Sequence, residues 1–298
     1  MKKIILILLI IFPLTSCSKK ENSGIKNENF SNTLRDVEYI TKKYVNYDKD
    51  AKANMLSIID NDEYFQARIK TNKEKELKSY IKEKSSGNKK LKWIYDNFDK
   101  LNYGEKVLVG NDDDACDYVY NCHNNKKDFN FFDGQSLNLH RKTPYYLQWD
   151  NRWAYDNLIG DDNIGIAGCG PTSMAMVLSR LFDDEKINPK LIAQDAKNHM
   201  TEDGVYWSFF EFEAKKYKVK IEDIDNTEKD LKNALKKGPI VVSVKQGYFT
   251  TGGHIMVIDS MKDDKLLIND PNSIKNSKIE WPYKDIQDQF VKLWLMYK

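Results

Sequence analysis

Three short stretches hold side chains that could do chemistry together: Gly168-Cys169-Gly170-Pro171-Thr172-Ser173, Gly252-Gly253-His254 and Asn269-Asp270-Pro271. A thiol is a nucleophile only as its thiolate. Pro171 suits the first position of a helix, where its missing N–H costs nothing, and this puts Cys169 at a helix start. The positive end of a helix lowers a thiol's pKa, and the flanking glycines leave the sulfur open. His254 follows two glycines and opens a β-branched run, at a strand edge facing a cleft. Asp270 ends the next apolar run. A thiol, a base and a carboxylate that orients the base form the layout of an activated nucleophile. Each has a plainer reading alone. Free cysteines commonly pack as small hydrophobes, single histidines are commonly structural, and an Asp before Pro forms turns. The three together favour chemistry. Any mechanism that needs a histidine must use His123, His140, His199 or His254.

The elements that must hold these residues are legible in the spacing. Met174, Val177, Leu178, Leu181 and Phe182 form a nearly all-apolar helix after Cys169, which must be buried. Trp207, Phe210, Ala214 and Tyr217 mark a second helix. Leu231, Ala234 and Leu235 mark a third, stopped by Gly238-Pro239. Ile240 to Val244, His254 to Ile258 and Leu266 to Asn269 read as strands, with Leu293 to Tyr297 as a closing strand. Helices followed by strands give an α+β fold. Before about Pro144 the chain is helical. Leu34, Val37, Ile40, Thr41 and Tyr44 fall at helical spacing, and Leu91, Ile94, Tyr95, Phe98 and Leu101 do so more clearly. Residues 84–88 break the pattern. Asn111-Asp112-Asp113-Asp114 reads as a helix start that buries Tyr118 and Val119.

Strand geometry constrains the His–Asp pair. Directly opposed residues of an antiparallel ladder share a face, and the side-chain period is two. His254 and Asp270 therefore share a face only if opposed residue numbers sum to an even value. A two-residue Asp263-Asp264 turn pairs Lys262 with Lys265 and fails that condition. The expectation is a three-residue loop, with Met261 opposite Lys265 and positive φ at Asp264. Met256 then faces Asp270, and His254 is its diagonal neighbour at about 7–8 Å between backbones.

The chain has 298 residues, with 47 Lys+Arg against 45 Asp+Glu. This balance excludes a strongly basic nucleic-acid binder. Hydrophobic residues at 41% exclude a disordered chain overall. Four cysteines exclude a disulfide-scaffolded miniprotein. The N-terminus reads as a secretory signal: Met1-Lys2-Lys3, then an apolar run from Ile4 to Leu14 that is too short to span a bilayer. Leu14-Thr15-Ser16-Cys17 resembles the lipobox of bacterial lipoproteins. That resemblance implies cleavage before Cys17 and lipid on its sulfur; the alternative is an ordinary signal peptide with a chance Cys. Loss of Lys2 and Lys3 leaves 45 basic residues against 45 acidic ones. Charge then cannot hold the protein on an anionic membrane, so the acyl chains must, and more than one chain suffices. Residues 18–31 are Lys, Glu, Asn and Ser with almost nothing apolar, the composition of a tether.

Tyr146-Leu147-Gln148-Trp149-Asp150-Asn151-Arg152-Trp153, taken with the Cys169, His254 and Asp270 motifs, resembles the C39-like cysteine peptidases. The likeness runs from about Pro144 to the C-terminus, and residues 112–127 weakly resemble the helical lead-in of standalone members. It implies a papain-like fold with Cys169 as nucleophile, His254 as general base and acid, and Asp270 as orienter. It implies that Gln148 donates to the oxyanion together with the Cys169 backbone N–H; the plainer reading of Gln148 is an exposed polar residue beside Trp149. The best-known members are transporter domains that cut leader peptides after a double glycine. These 298 residues show no nucleotide-binding loop and no long membrane span, so that activity does not carry over.

The chain thus divides into a signal peptide at 1–16, a tether at 17–31, a helical N-terminal region at 32–138 and a peptidase domain at 144–298. The expectation is an extracytoplasmic, lipid-anchored cysteine peptidase on the cell membrane. Its partners are a peptide or protein substrate and the membrane, with no nucleic acid, metal or organic cofactor. The rivals are a cell-wall peptide hydrolase of related fold and a non-catalytic peptide-binding lipoprotein. Cys116 and Cys122 are either bridged or two free thiols, and Cys122-His123 lacks the partners of a zinc site. Trp149, Trp153, Trp207 and Trp281 either line a groove or fill a core. His199 sits in a polar stretch and reads as solvated. The lysines from Lys70 to Lys90 read as a wet helix face.

Overall fold

The computed structural model describes residues 67–124, 134–201 and 204–298, all within one compact unit spanning residues 48–298. The signal peptide, Cys17, the tether and the periodic stretch from Leu34 to Tyr44 lie outside the described residues. Among the described residues no helix is long and apolar enough to cross a membrane.

The N-terminal part is a set of short helices. α1 (Glu74–Lys84) buries Leu77 and Ile81, with glutamates in its first turn and lysines in its last, the arrangement its dipole favours. Asn88 caps α2 (Lys89–Asp96) by accepting from the Lys90 and Leu91 amides. α3 (Tyr103–Asn111) starts in a capping box, Asn102 with Glu105. A 3-10 turn at Asp113–Ala115 leads into α4 (Cys116–Asn124), which buries Tyr118 and Val119. Asn111 therefore closes one helix rather than opening the next. Asp112 starts the new turn by accepting from the Asp114 amide.

The C-terminal part begins with a small hairpin, β1 (Asn157–Ile159) and β2 (Asp162–Asn163), and the single turn α5 (Ile164–Ala167). α6 (Cys169–Phe182) and α7 (Pro189–Ala196) follow, then β3 (Met200–Thr201), β4 (Gly204–Val205) and α8 (Ser208–Tyr217). The rest is β5 (Lys220–Asp223), α9 (Glu228–Lys237), β6 (Ile240–Val244), β7 (His254–Lys262), β8 (Lys265–Asn269), α10 (Ile274–Lys278), β9 (Glu280–Pro282) and β10 (Phe290–Tyr297). Six strands form one antiparallel sheet in the order β5-β10-β6-β7-β8-β9. β10, expected to close the sheet, lies inside it between β5 and β6. Its Leu293 to Met296 are buried on both faces, as a central strand requires.

Alternation along β6 and β7 makes two cores. Val241, Ile255 and Val257 meet α6, and the same cluster takes in Leu77, Ile81 and Ile94 of the N-terminal helices. Ile240, Val242, Met256 and Ile258 pack instead with Leu231 and Ala234 of α9. Met174, Val177 and Leu178 of α6 are fully buried. Each such side chain contributes roughly 1.5–3 kcal/mol, so packing holds the helix that carries Cys169.

The β7–β8 hairpin corrects one expectation and keeps its purpose. Lys262 pairs with Lys265 around a two-residue turn, and the residue with positive φ is Asp263 at 55°, not Asp264. In a regular ladder this would put His254 and Asp270 on opposite faces. The ladder is not regular. Ile258 pairs with Ile268 while Ser260 pairs with Leu267, so Asp259 is an extra residue, a β-bulge. Beyond it Val257 pairs with Asn269, the last residue of β8, and Asp270 follows directly outside the ladder, its Oδ1 2.8 Å from His254 Nε2. The bulge is held by its own buried carboxylate. Asp259 Oδ1 accepts from the Thr143 amide at 2.7 Å and from Arg180 Nη1 of α6 at 3.3 Å, and Ser260 Oγ donates to Oδ2 at 2.8 Å.

Candidate active site

α6 starts at Cys169 itself, so Pro171 is the third helical residue rather than the first. It still lies in the first turn, where no intrahelical donor is needed. The flanking glycines have a packing reason as well as an access one. A Cβ on Gly168 would come within 2.3 Å of the Ile164 carbonyl oxygen, and one on Gly170 within 2.5 Å of Val205 Cγ2. Only glycine lets the nucleophile turn sit this close to its neighbours. Cys169 is half-buried. The His254 ring and the Ile255 and Gly170 amides lie near enough to its sulfur to favour the ionised form.

His254 opens β7 beside Val244 of β6, in the interior of the sheet. Its Nε2 lies 2.8 Å from Asp270 Oδ1, which leaves Nδ1 for the sulfur. Asp270 is fully buried. Oδ1 also accepts from the Asn272 amide at 2.9 Å, and Oδ2 from Asn276 Nδ2 at 3.0 Å. Its backbone N–H donates to Ser277 Oγ, and its carbonyl accepts from Tyr145 Oη. Ser273, Asn276 and Ser277 recur at three- and four-residue spacing just after Asp270-Pro271. That helical polar pattern was the readable sign of this support, and the sequence reading missed it.

The loop after Asp270 is held from both sides. The Pro271 carbonyl accepts from the Gln148 amide at 2.8 Å, and the Asn272 carbonyl from Trp149 Nε1 at 3.3 Å. From the N-terminal helices, Asp112 Oδ2 accepts from Ser273 Oγ at 2.6 Å, and Asp113 takes the Lys275 ammonium at 2.5 Å. Asp112, Asp113 and Asp114 are clustered closely enough to hold a cation. Lys275 already supplies one.

Charge and burial act in opposite senses on the three groups. Burial works against the charge on His254, but Asp270 and the Cys169 sulfur outweigh it and lift its pKa to about 10. Burial likewise opposes the Cys169 thiolate. Hydrogen bonding and charge from His254, with the two amides, overcome that and hold the thiol below its ordinary value. His254, Asn276 and the Asn272 amide outweigh burial at Asp270 and keep its carboxyl below the usual range. These directions favour an ionised sulfur, a protonated ring and an ionised carboxylate together, groups of the kind that can attack a carbonyl carbon and protonate a leaving group.

A reactivity profile follows from these directions. Cys169 should react with iodoacetamide well below pH 8.5, the usual thiol pKa, at a rate that changes little until His254 deprotonates. Cys116, whose thiol burial pushes up to about 12, should stay inert. A rate at Cys169 that climbs tenfold per pH unit up to 8.5, as for a free thiol, would show that the imidazolium does not stabilise the sulfur.

Gln148 is buried, not exposed, and close to the nucleophile turn. Its Nε2 donates to the Gly165 and Ile166 carbonyls at 3.0 and 3.1 Å, while Oε1 has no partner. Both amide hydrogens thus brace the segment that leads into Cys169. Trp149, Trp153 and Trp281 are buried, and Trp207 is exposed. His199 stacks against Phe212, with ring centroids 4.7 Å apart. His123 pairs with Glu105, and Cys116 and Cys122 are not bridged. Lys70 departs from the wet-face reading, being buried against the catalytic half.

The Peptidase_C39 like family model matches residues 140–298. No curated protein matches the chain. Among solved structures, the chain is similar to the peptidase domain of Streptococcus ComA, a bi-functional ABC transporter involved in a quorum sensing pathway. Identity there is 19% and the TM-score 0.36, over 44% of this chain and 91% of that one. It is also similar to a protein assigned as a C39-like peptidase from Bacillus anthracis, at 17% identity and a TM-score of 0.33, over 52% of this chain and 94% of that one.

Proposed function

The chain belongs to the Peptidase_C39 like family and has its papain-like fold, and from this premise we propose that it hydrolyses peptide bonds through Cys169, His254 and Asp270. The observation that carries the reading is the His254 ring, 2.8 Å from the Asp270 carboxylate and near enough to the Cys169 sulfur to favour its ionised form.

The steps follow from the charges. The Cys169 thiolate attacks the scissile carbonyl carbon, a sulfur–carbon bond forms, and the carbonyl electron pair moves to oxygen. His254 gives its proton to the leaving nitrogen as the carbon–nitrogen bond breaks. Water then attacks the thioester while the neutral imidazole takes its proton, and the thiolate leaves. Asp270 fixes the ring orientation and stabilises the imidazolium without accepting a proton. General acid–base help of this kind contributes about 10²- to 10⁴-fold. Gln148 joins the oxyanion by turning one amide hydrogen from a loop carbonyl toward the developing charge, worth about 10²- to 10³-fold.

A peptide-library cleavage profile with the purified protein tests the reading, with purified peptidoglycan in parallel. Release of muropeptide fragments alone would make it a cell-wall hydrolase. No cleavage of either, with Cys169 reactive, would favour a peptide-binding role. The lipid anchor at Cys17 belongs to the same proposal. Cys17→Ser should move the protein from the detergent phase to the aqueous phase, since Ser cannot carry a thioether-linked lipid. Unchanged partitioning would refute the anchor.

A further inference from the structure

Asp270 depends on α10 (Ile274–Lys278), a helix of only 5 residues. So short a helix is not stable by itself, because its first turn fixes several backbone dihedrals for one hydrogen bond. Yet Asn276 Nδ2 donates to Asp270 Oδ2 at 3.0 Å, and Ser277 Oγ accepts from the Asp270 amide at 2.9 Å. The side chain that orients His254 is thus held by an element that must itself be held.

The holding groups come from the N-terminal helices. Ser273 caps α10, its Oγ accepting from the Asn276 amide at 3.2 Å. A hydroxyl has one proton and rotates to suit its partners. Here that proton goes to Asp112 Oδ2 at 2.6 Å, which leaves the oxygen's lone pairs for the helix. Two residues on, the Lys275 ammonium meets Asp113 at 2.5 Å and Asp112 at 3.5 Å. Asp112 is fixed in its own chain, since its amide donates to the Leu108 carbonyl at 2.9 Å and closes α3. Asp112, Ser273 and Asn276 are all buried, so water is poorly placed to replace a lost contact. Fastening the two parts of the molecule does not need these carboxyl groups, because Leu77, Ile81 and Ile94 already share one apolar core with α6.

We propose that Asp112 is a positioning residue for the reaction: through Ser273 and Asn276 it sets the Asp270 carboxyl group, and through that the ring of His254. The N-terminal helices are then a working part of the active site rather than a stalk that carries it. The inference rests on the peptidase reading and adds to it a residue from outside the peptidase domain.

The test uses full-length variants and two readouts: kcat and KM on a library-selected peptide, and the pH profile of Cys169 alkylation by iodoacetamide. Asp112→Ala should lower kcat about tenfold to a hundredfold with KM little changed, the scale of a small misplacement passed to a reacting group. It should also lower, by about one pH unit, the pH at which the alkylation rate breaks as His254 deprotonates, because a loosened Asp270 supports the imidazolium less. Asp112→Asn keeps an acceptor for Ser273 and should recover most of both losses. Ser273→Ala cuts the same link, so the double variant should be little worse than either single one. Ile94→Val, in the core of α2, should lower the melting temperature and leave the alkylation break in place. A lowered melting temperature for Asp112→Ala with kcat and the break both unmoved would overturn the proposal. So would an Asn variant as impaired as the alanine one, or a break that moves equally in Ile94→Val. If the break moves as expected but wild-type protein cleaves no peptide, the positioning role stands and the hydrolase reading falls.

Discussion

Cys169→Ala is expected to lower peptide turnover by at least about 10⁴-fold, since loss of the nucleophile in such a unit leaves only binding and oxyanion stabilisation. The fold should survive. The substitution removes one sulfur from a half-buried position, while the apolar side chains that seat α6 begin at Met174. The ring of His254 loses its anionic neighbour but keeps Asp270. Circular dichroism and thermal unfolding should therefore match wild type closely, and cleavage of a library-selected peptide should vanish. Residual turnover near wild type would remove Cys169 from the mechanism.

Asp270→Ala should be the more disruptive change because it acts on chemistry and stability together. It strands three buried donors, His254 Nε2, the Asn272 amide and Asn276 Nδ2. Breaking one side of a buried charged pair costs about 3–5 kcal/mol, a large share of a domain's stability. Turnover should fall about 10²- to 10⁴-fold as His254 loses orientation and charge support. Asp270→Asn keeps an acceptor and the shape, so it should be less destabilised than the alanine variant.

The pH dependence of that stability gap has a definite sign. The folded pKa of Asp270 is depressed, so its contribution is present above about 4 and fades as pH falls through the depressed value. The folded pKa of His254 is raised to about 10. Its contribution is full below about 6.5 and is lost as pH climbs through the raised value. The melting-temperature difference between wild type and Asp270→Ala should thus be widest between about pH 4 and 6.5. A gap that grows steadily toward pH 9 would contradict the ion pair.

Much of the frame was legible because local rules decided it. The Met174 to Phe182 spacing, Gly238-Pro239 and the β-branched runs each point to one element, and packing did not overrule them. What could not be read was set by long-range contacts. The interior place of β10 depends on partners 50 or more residues away, Val241 of β6 and Glu222 of β5. The burial of Gln148 depends on two carbonyls that only the fold brings near. Lys70, among many exposed lysines, gave no local sign of its burial. The hairpin shows the limit most clearly. Period-two arithmetic gave the wrong turn, because it assumed an unbroken ladder. Asp259 breaks it, and what stabilises that break is an arginine on another helix and an amide 116 residues away.

That bulge has a bearing on how the hairpin can change over time. Paired strands normally transmit a change in length: one residue gained or lost shifts the phase of everything beyond it. Here the phase of the catalytic end is set at Asp259 by groups outside the hairpin, so the turn at Asp263-Asp264 does not dictate it. The tip can grow, shrink or carry an inserted epitope while Asp270 keeps its orientation. A lineage is free to remodel this tip, and an engineer to splice into it, provided that residue 259 and its two anchors are left alone.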